Sequence, residues 1–213
     1  MGAPKALVPF RGLTFLGYLL EVIRSANDAD AALSNSLHAE NRDTNRIADE
    51  RIGLSRVVLG AGAEEIRVRA GLDPGCVLIN EDWRSGQLSS IQAAIRNLAA
   101  GDAEAVDGVI LFLVDHPLVS GELVRTMVRR FYESKCAIVV PTYLGRRGHP
   151  VIFARRLFGE LLAAELTKGA REVVWAHADE VLEVPTDEEG VVMNLNDPET
   201  LRQALTRFED GAT

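Results

Sequence analysis

The stretch Val109-Ile110-Leu111-Phe112-Leu113-Val114-Asp115-His116-Pro117-Leu118 runs an apolar segment into a carboxylate held beside a proline turn. Continuous rather than alternating hydrophobicity reads as a strand covered on both faces, the habit of a central strand in a parallel sheet. Open α/β sheets bind ligands at the carboxyl ends of their strands. A buried carboxylate there needs backbone N–H groups, a cationic side chain or a hard cation to offset its desolvation. A plainer role is open to the same residue, capping the helix expected from Ser120, because Asp settles readily in turns and caps.

Other segments carry chemistry of the same kind. In Met1-Gly2-Ala3-Pro4-Lys5 a glycine and a proline shape a loop, and Lys5 offers a point charge suited to phosphate, or is simply solvated. In Asn80-Glu81-Asp82-Trp83-Arg84-Ser85-Gly86-Gln87-Leu88-Ser89-Ser90, the residues Gly86, Ser89 and Ser90 surround a helix start, whose free N–H groups and hydroxyls suit an anion or a base edge. Ordinary capping by Ser89 is the alternative. The loop Gly145-Arg146-Arg147-Gly148-His149-Pro150 joins two guanidinium groups that suit a bidentate phosphate clamp, or a solvated turn, to a histidine. His149 either touches substrate or makes a structural hydrogen bond. Asn194-Leu195-Asn196-Asp197-Pro198 sets two amides and a carboxylate before a last helix, with Asp197 placed to cap it.

Strand-like and helix-like stretches alternate after residue 54, the pattern of βαβ units. Strands are expected at Leu54–Leu59, Cys76–Ile79, Asp107–Val114, Ala137–Pro141, Val151–Phe153 and Val181–Val184. Helices are expected at Ala63–Ala70, Leu88–Leu98, Ser120–Ser134, Arg155–Leu166, Ala170–Ala176 and Pro198–Phe208. Residues 25–51 break the regularity. They are polar and poor in large apolar side chains, can bury little, and read as a solvated helix or a mobile insertion.

A chain of 213 residues, 47% hydrophobic and 25% charged, suits one globular domain with one sizeable core. A net charge of −8 argues against a general nucleic-acid binder, so anionic ligands need local positive charge. No apolar stretch approaches the roughly 18 residues of a membrane span, and the first residues do not form a signal peptide. A cytoplasmic location is expected. Cys76 and Cys136 lack metal-ligand spacing and read as reduced core residues.

Taken in order, Met1–Leu7, Val58-Leu59-Gly60, Asn80-Glu81-Asp82-Trp83 with Gly86 and Ser90, Val114-Asp115-His116-Pro117, Gly145–Pro150, Gly169-Ala170-Arg171 and Asn194–Pro198 resemble the MobA-like nucleotidyltransferase family. Within it they are most similar to the molybdenum cofactor cytidylyltransferases. The resemblance implies a three-layer α/β/α fold around a mostly parallel, Rossmann-like sheet of the nucleotide-diphospho-sugar transferase type. It also implies transfer of NMP from a nucleoside triphosphate, CTP above all, to a molybdopterin-type cofactor, with Mg²⁺ and release of pyrophosphate. By the same resemblance Lys5 contacts the triphosphate, Asp115 holds the metal, and Asn196 is a second metal-side ligand. Asn80, Gly86 and Ser90 help bind base or sugar, while His149 and its loop, with Arg146 and Arg147, face the acceptor.

The chain departs from the family where members carry a first strand and a Gly-rich loop ahead of Met-Gly-x-x-Lys; that strand is expected to be missing here, leaving a vacant sheet position. Two other functions therefore stay open. One is transfer to a sugar phosphate or a small alcohol phosphate. The other is cofactor or partner binding without turnover, for example beside a molybdenum hydroxylase.

Overall fold

The computed structural model describes residues 4–37, 52–101 and 106–209. A 3₁₀ turn at Lys5–Leu7 leads into a small antiparallel pair, β1 (Pro9–Phe10) and β2 (Leu13–Thr14), and then into the long helix α1 (Phe15–Leu37). Residues 25–37 of the expected insertion thus continue a helix, and residues 38–51 lie outside the described residues. The side-chain amide of Asn27 secures the chain's return: its Nδ2 donates to the Ile52 carbonyl and its Oδ1 accepts from the Ile52 N–H, both at 3.1 Å.

Alternation then follows as β3 (Val57–Leu59), α2 (Ala63–Arg69), β4 (Val77–Ile79), α3 (Gln87–Gly101), β5 (Gly108–Leu111), α4 (Gly121–Ser134), β6 (Ile138–Tyr143), β7 (Arg146–Arg147), β8 (Val151–Ala154), α5 (Phe158–Ala163), α6 (Arg171–Ala176), β9 (Val181–Pro185) and α7 (Pro198–Glu209). β3 pairs parallel with β4, and β6 pairs parallel with β9. β8 lies between β5 and β6 and runs against both, so β5, β6 and β9 share one direction. Three of the five strands therefore run one way, with β8 and the short β7 reversed.

Side-chain alternation along these strands builds the three layers. Val139, Ile152 and Val184 face α1 and α4, where Leu19, Val22, Val124 and Met127 are buried. Ile138, Val140, Val151 and Phe153 face the other way, onto Ile95 of α3, Leu161 of α5 and Val173 of α6. Each such side chain contributes about 1.5–3 kcal/mol on burial, which is what holds helices of modest propensity against the sheet.

The expectation of a central strand ending at Asp115 is corrected. Among the described residues β5 pairs with β8 on one side only, and Gly108–Val114 are all half-buried, whereas β6 and β8 are buried on both faces. Apolar continuity reports covered faces, not how many neighbouring strands satisfy the edges. Among the described residues no strand pairing joins β3–β4 to the five-stranded sheet. The expected 145–150 loop is in part a hairpin. Leu144 (φ 47°) and Gly145 (φ 76°) both take positive φ in a two-residue turn, which pairs Tyr143 with Arg146. Asp197 caps α7, accepting from the Glu199 and Thr200 N–H groups at 3.0 and 2.9 Å. Among the described residues no helix is long and apolar enough to cross a membrane. Cys76 and Cys136 are half-buried free thiols.

Candidate functional site

Asp115 sits in the turn after β5, where the His116 N–H closes onto the Leu113 carbonyl at 3.0 Å. It does not cap α4. Ser120 does so, its Oγ accepting from the Leu123 N–H at 3.0 Å, and the Glu188 carboxylate accepts from both the Ser120 N–H (2.8 Å) and hydroxyl (2.6 Å). The Asp115 carboxylate is thereby left for another partner. That partner is Lys5, whose Nζ lies 3.4 Å from Asp115 Oδ2 and also donates to Asn196 Oδ1.

Three remote segments make this meeting. Lys5 is fixed from behind, because Ala6 and Leu7 are buried against Leu16, Leu59 and Ile66, and Val8 against Phe10, Phe15 and Leu195. Asn196 is brought in by its neighbour: the Leu195 N–H donates to the Asp115 carbonyl at 2.8 Å while the Leu195 side chain is fully buried. One carboxylate oxygen and one amide oxygen thus converge on a single cation. Hard oxygen donors of this kind suit cations, an ammonium or a divalent metal ion.

The loop after β4 forms a second group. Asn80 is buried, and its polar capacity is spent within the loop: Nδ2 donates to Ser89 Oγ (2.8 Å) and Ser90 Oγ (3.0 Å), and Oδ1 accepts from the Asp82 N–H (3.0 Å). The Ser89 hydroxyl reaches the Asp82 and Gly86 carbonyls at 3.1 and 2.7 Å. The network shapes the start of α3 and leaves the Gly86 backbone, at φ 99° with open space where a Cβ would stand, and the Ser90 hydroxyl as the parts able to meet a ligand. Trp83 packs on Gly60, where an added Cβ would fall 2.4 Å from the indole's own Cβ, and Arg84 stacks 4.4 Å from the Trp83 ring.

His149 lies beside His116, with ring centroids 5.0 Å apart. The His149 N–H donates to the Val191 carbonyl at 2.9 Å, and Gly148 approaches the same carbonyl so closely that an added Cβ would stand 2.3 Å from its oxygen. Burial pushes the His149 imidazole down to about 4, helped by the neighbouring His116 ring and opposed by Asp115. Burial also lowers His116, against the pull of Asp115. Nδ1 of both rings and Oδ1 of Asn194 are buried without a hydrogen-bond partner. Residue type alone marks neither His116 nor Asn194 for a role. Their signal was only their position, each next to or near a residue already singled out.

Arg146 and Arg147 are exposed on β7, and Arg147 pairs with Glu183 of β9 at 2.7 Å. Among the described residues neither arginine is joined by a hydrogen bond or ion pair to Lys5, Asp115 or Asn196. An open cavity of about 440 Å³ lies at the other end of β5, lined by Asp107, Tyr132, Lys135, Cys136 and Arg156 among others.

The MobA-like NTP transferase domain model matches residues 1–181. The chain belongs to that family. The chain is 26% identical to Rv0371c from Mycobacterium tuberculosis H37Rv, whose crystal structure superposes with a TM-score of 0.73 over 97% of this chain and 91% of that one. A manganese complex of Rv0371c matches at 27% identity and a TM-score of 0.70, over 96% and 93% of the two chains. Molybdopterin-guanine dinucleotide biosynthesis protein A from Archaeoglobus fulgidus shares the fold at 16% identity and a TM-score of 0.60, over 98% and 92%. The nicotine blue oxidoreductase of Paenarthrobacter nicotinovorans is 29% identical over 70% of this chain, which spans 61% of that relative's length.

Proposed function

We propose that this protein transfers CMP from CTP to the phosphate of a molybdopterin-type cofactor in the cytoplasm, releasing pyrophosphate with Mg²⁺. The observation that carries the reading is the convergence of Lys5, Asp115 and Asn196 at the carboxyl end of β5. Family membership and the manganese complex of the mycobacterial relative support it.

Mg²⁺ held by Asp115 and Asn196 would neutralise charge developing on the transferring phosphate. Lys5 binds triphosphate oxygens as a point charge. The Gly86 backbone and the Ser90 hydroxyl, ordered by Asn80, hold the nucleotide's base or sugar. Arg146, exposed on β7, attracts the acceptor's phosphate, and Arg147 joins it only on leaving its ion pair with Glu183. An oxygen of that phosphate attacks the α-phosphorus, the bond from the α-phosphorus to the bridging oxygen breaks, and pyrophosphate departs with the electron pair. An anionic nucleophile of this kind needs positioning rather than a general base. His149, with His116 and Asn194, offers uncharged hydrogen-bonding atoms that suit the polar edge of a neutral heterocycle rather than a phosphate.

Pyrophosphate release from the full chain with Mg-CTP and molybdopterin tests this. Release is expected, and Asp115→Ala should lower it about a hundredfold or more, the scale of losing one charge-stabilising group. Turnover with GTP in place of CTP would correct the base, and turnover only with a sugar phosphate or small alcohol phosphate would correct the acceptor. No release with any of these, and no effect of Asp115→Ala, would reject transfer in favour of binding without turnover, including service to a molybdenum hydroxylase.

A further inference from the structure

Lys5 and a divalent cation claim the same two oxygens. Its Nζ lies 3.4 Å from Asp115 Oδ2 and donates to Asn196 Oδ1, and among the described residues it is the ion-pair partner of Asp115. A divalent cation needs such oxygens at about 2.0–2.6 Å, and an ammonium within hydrogen-bonding reach of the same atoms would be both a steric and a like-charge rival. We propose that Lys5 is the resident counter-ion of the Asp115–Asn196 seat, so that a divalent cation enters only as Lys5 is drawn away, and cation and triphosphate bind together rather than cation first. The inference rests on the metal and triphosphate roles given to these residues above.

The build of the site suits an exchange. The backbone around Lys5 is held by the buried side chains of Ala6 and Leu7, whereas the Lys5 side chain is 41% exposed at the end of a flexible four-carbon stem. The Asp115 side chain is only 20% exposed and its turn is closed by a backbone hydrogen bond, so the oxygens stay while the ammonium moves. A triphosphate presents several anionic oxygens to an ammonium that now has one carboxylate and one amide. Transfer of Lys5 to the nucleotide frees both seat oxygens at the moment the phosphate charge arrives.

Mn²⁺ binding to the full chain without nucleotide, read by the electron paramagnetic resonance signal of free Mn²⁺, tests this without any turnover. Lys5→Met, with Lys5→Gln as a second variant, is expected to bind Mn²⁺ about tenfold or more tightly than the wild type. Asp115→Asn in the Lys5→Met background is expected to abolish that binding. Equal Mn²⁺ affinity in wild type and both Lys5 variants, with Asp115→Asn still abolishing it, would overturn the counter-ion role and leave the metal seat standing. Mn²⁺ binding that survives Asp115→Asn would overturn the seat itself, and both readings with it.

Discussion

The imidazole rings of His116 and His149 lie 5.0 Å apart and inclined by 57°, two titratable groups in tilted contact beside the Asp115 turn with Nδ1 of each lacking a partner. The His149 segment is held there by the Val191 carbonyl, which accepts from the His149 N–H at 2.9 Å.

Burial lowers both imidazoles, and for His149 this sets a pH dependence. The unfolded chain takes up a proton on His149 near 6.5, the folded one only near 4. Stability is fully present above 6.5 and is lost as the pH falls from 6.5 towards 4, by on the order of 2–3 kcal/mol for His149. Urea unfolding at pH 7 and pH 4.5 should show this loss in the wild type and a smaller one in His149→Gln. Equal losses in the two proteins would refute the assignment.

Glu188 binds both the N–H and the hydroxyl of Ser120, the residue that caps α4. Removing the carboxylate leaves a half-buried N–H without its acceptor and weakens the cap, each change worth about 1 kcal/mol. Glu188→Ala should therefore lower the melting temperature by roughly 4–8 °C for a chain of this size. Calorimetry checks it, and an unchanged melting temperature would count against the contact.

Asn80 spends its amide on Ser89, Ser90 and the Asp82 N–H, so its effect on nucleotide binding is exerted through loop shape. Asn80→Ala should cost about 1–3 kcal/mol of stability and weaken CTP binding as well, because it strands buried partners. Ser90→Ala, which removes a hydroxyl only in part used within the loop, should weaken CTP binding with little change in melting temperature. Calorimetric titration beside thermal unfolding separates the two; matching profiles for both variants would contradict the division.

Much of the architecture was legible in the chain. The alternation after residue 54, the Ser120 and Asp197 caps and the continuous apolar strand β6 all follow from local pattern, because capping and periodicity act within a few residues. The hairpin at Leu144-Gly145 was not legible, since a leucine at φ 47° departs from the usual turn chemistry. Nor was the edge position of β5, which depends on β8 pairing with it from more than thirty residues away.

The sequence by itself determined which residue types were available for chemistry: a lysine in a loop, a carboxylate closing an apolar run, paired amides before a last helix. Only the tertiary structure decided that Lys5, Asp115 and Asn196 meet, across 110 and 191 positions, and that Arg147 turns instead to Glu183. The physical reason is that such meetings are set by burial elsewhere. Leu7 and Leu195 enter the core, and the polar side chains beside them are carried to one point by packing that no local pattern encodes.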